Sequence, residues 1–82
     1  MTTHLRDALY QYAIGFLREH GESMPSEVVD GFVQDLPEET GGLTLAALRT
    51  KLSSQITSEI KWYGDEAPIQ RTGNRTIVLR KG

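Results

Sequence analysis

The sequence has no cysteine, which rules out disulfides, thiolate metal sites and cysteine nucleophiles. That composition fits an intracellular chain, and the expected location is the cytoplasm or the nucleoid. Histidine is nearly missing too. His4 and His20 stand sixteen residues apart, too far for a paired metal motif, and His20 near a helix C-terminus suits a charge–dipole role. No apolar stretch approaches the roughly 18 residues that span a bilayer, and the opening Met1-Thr-Thr-His-Leu-Arg-Asp7 lacks the pattern of a secretory signal. Repeats and low-complexity runs are missing as well. No phosphate-binding loop, nucleophile elbow or acid/base spacing of carboxylates occurs, so neither catalysis nor a cofactor nor a metal is expected. What remains is 82 residues, enough for one domain with a thin core.

The net charge of −2 conceals a polar distribution. Met1 to Gly42 carries two basic residues, Arg6 and Arg18, against eight acidic ones. Leu43 to Gly82 carries seven basic residues against three acidic ones. An anionic partner is therefore expected on the second half, and a basic protein partner is the alternative use of the first.

Leu5, Ala8, Leu9, Tyr12, Ala13, Phe16 and Leu17 recur every three or four residues, predicting a helix over about 3–20. Thr2 or Thr3 would cap its start and Gly21 would end it. Val28, Val29, Phe32, Val33 and Leu36 predict a second helix over about 26–36, opened by Pro25 and stopped by Pro37. Gly31 and the valines weaken its local propensity, so packing must hold it. A breaker-rich loop, 37–42, leads to a third helix over about 45–62, capped by Thr44. Leu45, Leu48, Leu52, Ile56, Ile60 and Tyr63 form its core stripe, and Trp62 with Tyr63 is expected to cover the core. Its other side carries Ala47, Thr50, Lys51, Ser54, Thr57, Ser58 and Lys61, without a carboxylate. Arg49 falls nearer the core edge, placed to pair with a carboxylate. Two strand-like runs, Ile69–Thr72 and Thr76–Arg80, flank Gly73-Asn74-Arg75 and predict a hairpin within about 68–80. A three-residue tip sets Ile69 opposite Leu79, with Ile77 on their face. A two-residue tip would pair Ile69 with Val78, and the first register gathers more apolar residues on one side.

Three helices and then a hairpin that must lean on them describe an α+β fold of winged helix-turn-helix form. The join Leu17-Arg-Glu-His-Gly-Glu-Ser-Met-Pro-Ser26 resembles that between the first two helices of such domains. Thr44-Leu-Ala-Ala-Leu-Arg-Thr-Lys-Leu52, followed by Pro68-Ile-Gln-Arg-Thr-Gly-Asn-Arg-Thr-Ile-Val-Leu79, is similar to the HARE-HTH type. That type occurs in chromatin-associated proteins, restriction-linked proteins and the delta subunit of bacterial RNA polymerase. The resemblance spans almost the whole chain and consists mostly of hydrophobic spacing and a hairpin. The acidic pair Glu38-Glu39 departs from the basic or neutral residues that many DNA binders carry.

The resemblance implies double-stranded DNA as partner, with the third helix in the major groove and the wing on phosphates. On that reading Thr44, Ala47, Thr50, Lys51, Ser54 and Ser58 lie nearest the bases, while Lys61, Arg71 and Arg75 meet phosphates. Arg80 and Lys81 would sit at the base of the wing. The third helix lacks a dense set of Arg, Asn or Gln for reading base edges, so modest sequence specificity is expected. Winged helices also serve protein assembly, dimerisation or inhibition of a partner complex, and the first helix offers a surface for a homodimer.

Overall fold

The computed structural model describes residues 2–80; the side chains of Thr2, Thr3, His4 and Arg6, and all of Lys81, lie outside the described set. The capping role expected of Thr2 or Thr3 and the place of Lys81 therefore fall there. The element order is α1 (Thr2–His20), α2 (Pro25–Asp35), a 3₁₀ turn (Pro37–Glu39), α3 (Leu45–Tyr63), a 3₁₀ turn (Gly64–Glu66), β1 (Ile69–Arg71) and β2 (Ile77–Leu79). This is an α+β chain of three helices followed by a two-stranded antiparallel hairpin, a layout compatible with a winged helix. Among the described residues no helix is long and apolar enough to cross a membrane.

Each helix ends for a local reason. Gly21 takes φ 76°, a conformation that costs glycine little, and its N–H bonds the Leu17 carbonyl at 2.8 Å. At the start of α2 the Glu27 carboxylate accepts the Met24 N–H at 2.8 Å, and Pro25 occupies the first helical position. Thr44 caps α3 by accepting the Ala47 N–H at 3.1 Å.

The core is drawn from all three helices and both strands. Leu9, Tyr10, Ala13 and Leu17 of α1 meet Val28, Val29 and Phe32 of α2, Leu48, Leu52 and Ile56 of α3, and Ile69 and Ile77 of the hairpin. Burying these side chains is the main stabilising term, at roughly 1.5–3 kcal/mol for each large one. Two expected members of the α3 stripe stand outside it. Leu45 is 46% exposed and Tyr63 59% exposed, because the core ends before it reaches the first and last turns of a 19-residue helix. Trp62 does not cover the core either, being 79% exposed. Tyr10, off the apolar stripe of α1, is buried against the hairpin instead.

The hairpin pairs Ile69 with Leu79, Gln70 with Val78 and Arg71 with Ile77, so the tip is the three residues Gly73-Asn74-Arg75. Backbone bonds from Thr72 to Thr76 and from Arg80 to Pro68 lengthen the short ladder at both ends. On its other edge β2 takes on Ser23, from the α1–α2 connection, through a pair of backbone bonds of 3.0 and 2.8 Å. The Thr76 hydroxyl also donates to the Glu22 carboxylate. The hairpin is thus anchored to the first half of the chain.

Candidate nucleic-acid interface

The outward side of α3 is small, hydroxylic and cationic. Ala46, Arg49, Thr50, Ser54, Thr57 and Lys61 are exposed, and Ser53 is half-buried among them. The one carboxylate of α3, Glu59, lies elsewhere on the helix, near Tyr10, and accepts from the Gln55 amide at 3.5 Å. Near the start of α2, Pro25 joins Ala46, Arg49, Thr50 and Ser53 around a shallow depression of about 350 Å³.

The hairpin supplies a further cation to this side. Arg71, on β1, reaches across α3: its Nη2 donates to the Ser53 carbonyl at 3.0 Å, the Ser53 Oγ at 3.2 Å and the Thr57 Oγ1 at 2.6 Å. This works because Arg71, two positions after Ile69 on β1, shares the face that Ile69 pins into the core, opposite to Gln70, and so points towards α3 just beyond the core's edge. The side chains of Arg49, Lys61 and Arg75 make no hydrogen bond or ion pair among the described residues.

The residues expected to face DNA fall into three groups. Thr50, Ser54 and Lys61 share the exposed side with Arg71, although the Thr50 hydroxyl donates back to the Ala46 carbonyl at 3.0 Å. Thr44 is exposed but spends its hydroxyl oxygen on the helix cap. Ala47, Lys51 and Ser58 are half-buried, with Lys51 and Ser58 roughly 130° around the helix from the row on which Arg71 docks. Arg75 projects at the wing tip and Arg80 is exposed at its base.

Three polar residues of this surface lie outside the set expected to face DNA, although the sequence already puts Thr57 on the outward side of α3. Arg49, for which the sequence suggests a carboxylate partner, is exposed and makes no ion pair among the described residues. Ser53 and Thr57 become part of the site only because Arg71 lands on them. That contact joins positions 18 and 14 residues apart, beyond any local spacing rule.

No family model, curated protein or solved structure matches the chain.

Proposed function

We propose that the chain is a winged helix-turn-helix module that binds double-stranded DNA, with α3 at the major groove and the hairpin as the wing on neighbouring phosphates. The observation that carries this reading is the side of α3 bearing Thr50, Ser54 and Lys61, free of carboxylates and joined by Arg71 from the hairpin. Cations on such a face neutralise phosphates, and hydroxyls bond phosphate oxygens or base edges. The resemblance to the HARE-HTH type and the charge asymmetry of the sequence support the same reading. With so few side chains able to pair two atoms of a base, affinity is expected to be mostly electrostatic and weakly selective.

Fluorescence anisotropy with a mixed-sequence duplex, at a series of salt concentrations, tests it. About four phosphate contacts give a slope of log affinity against log salt near −3.6. A Lys61→Ala/Arg71→Ala/Arg75→Ala variant is expected to lose most of that binding. Absence of binding at low salt, where attraction is strongest, removes the DNA reading.

A second reading rests on the aromatic pair Trp62 and Tyr63, 79% and 59% exposed at the end of α3 beside the exposed Asp65 and Glu66. Exposed Trp and Tyr side chains are common anchors at protein interfaces. Protein docking there is the function to pursue if duplex DNA fails to bind.

A further inference from the structure

In an α-helix, residues four apart stack into a shallow ridge with a rise of about 6 Å per step. Arg49, Ser53, Thr57 and Lys61 form one such ridge along α3, roughly 18 Å from end to end. Arg71 is laid over its two middle members. Nη2 of Arg71 is occupied by Ser53 and Thr57, while the N–H groups on Nε and Nη1 have no acceptor among the described residues. A hydroxyl that accepts from a guanidinium retains its own hydrogen, so Ser53 and Thr57 each have one left to donate. Arg49 lies one turn before this cluster and Lys61 one turn after it, both exposed and without an ion pair among the described residues.

The ridge is therefore rich in donors, with fixed positive charge and no carboxylate among its residues. A group with several acceptor oxygens and negative charge matches it best, and a phosphate supplies both. We infer that Arg71, Ser53 and Thr57 form a phosphate site, and that Arg49 and Lys61 extend it into a track for successive phosphates of a nucleic-acid strand. The extension rests on the DNA reading above and says how that face holds its partner: through the backbone along one ridge. The site itself does not need that reading, because free phosphate offers the same chemistry.

Two measurements on the full chain separate these sources. The first follows the Arg71 Nε–H resonance by NMR during titration with inorganic phosphate, against chloride at equal ionic strength. A saturable, phosphate-specific shift is expected, and it is expected to vanish in Ser53→Ala/Thr57→Val, whose altered side chains are exposed or half-buried and leave the core intact. A shift no larger than that with chloride overturns the site, whatever the duplex does.

The second is the salt series with duplex DNA. Arg71→Ala is expected to weaken binding about tenfold and to lower the magnitude of the salt slope by about 0.9, the share of one phosphate contact. Arg71→Lys keeps the charge but not the planar fork, so it is expected to keep the slope and lose affinity. Lys51→Ala, on the other edge of α3, is expected to change affinity less than about twofold. A phosphate shift without any duplex binding leaves a free-oxyanion site and removes the DNA reading. Duplex binding with an unchanged slope in Arg71→Ala overturns the track and leaves the DNA reading standing.

Discussion

Arg75 sits at the wing tip with φ 63°, the sole non-glycine residue with positive φ among those described. A side chain with a Cβ pays roughly 1 kcal/mol there, and the tip has glycine available two residues earlier at Gly73. A three-residue hairpin tip normally places glycine at its left-handed position. The arginine is thus held in a strained conformation that glycine would relieve, at a position exposed to solvent. Backbone strain of this kind often accompanies function. Arg75→Gly is expected to stabilise the fold by about 0.5–1 kcal/mol in urea denaturation while weakening duplex binding. If the variant is both less stable and equally tight on DNA, the tip arginine has neither the strain nor the role assigned to it. The tip length was legible from alternation in the two strands, but the identity of its left-handed residue was not, since Gly73 and Asn74 tolerate that conformation better.

At the scale of elements, Gly31 explains how α1 and α2 approach. A Cβ built there would lie 2.7 Å from the Tyr12 hydroxyl and 3.1 Å from the Phe16 ring. Tyr12 in turn packs edge-on against Phe32 and donates to Asp35 at 2.7 Å. The sequence shows Gly31 only as a weak point of a helix, whereas the packing shows what it admits. Gly31→Ala should gain up to about 1 kcal/mol of helix propensity but lose more to overpacking, for a net cost of about 1–2 kcal/mol. That cost should shrink in a Tyr12→Phe background, where the nearest atom is gone; thermal unfolding of the four proteins in the cycle measures it. An equal cost in both backgrounds would show that the tyrosine is not the obstacle. The bridge from Ser23 to Ile77 had no counterpart in the sequence, because one residue pair carries no periodicity.

For the molecule as a whole, two tyrosines link stability to alkaline pH. Burial, and then the Glu59 carboxylate, push the Tyr10 hydroxyl up to about 12. Burial, and then the hydrogen bond to Asp35, push Tyr12 up to about 12. Tyrosines of the unfolded chain ionise near 10, so above that value the unfolded state loses protons first. The stability these groups contribute is complete below about pH 10 and lost as pH rises towards 12. Denaturant midpoints taken from pH 9 to 12 should fall, and Tyr10→Phe should flatten the decline. The buried Tyr10 hydroxyl makes no hydrogen bond of good geometry among the described residues and has the Ile69 backbone amide near it, so the phenylalanine variant is also expected to lose little stability at pH 7. A decline as steep in Tyr10→Phe as in the parent would place the linkage elsewhere.

Local information determined much of this protein. The 3.6-residue spacing of apolar side chains set the three helices, glycine and proline set their limits, and alternation around Gly73-Asn74-Arg75 set the hairpin and its register, because each of these acts within a few residues. The carboxylate-free side of α3 was readable for the same reason. Tertiary structure decided where the core stops, leaving Leu45, Trp62 and Tyr63 in solvent, and it decided that Tyr10 turns inward against the hairpin. It also left Lys51 and Ser58 half-buried on another side of α3 and set Arg71 on Ser53 and Thr57. The hairpin docks along one edge of that helix and brings Arg71 with it, and no spacing along the chain encodes a contact between elements that meet only after folding.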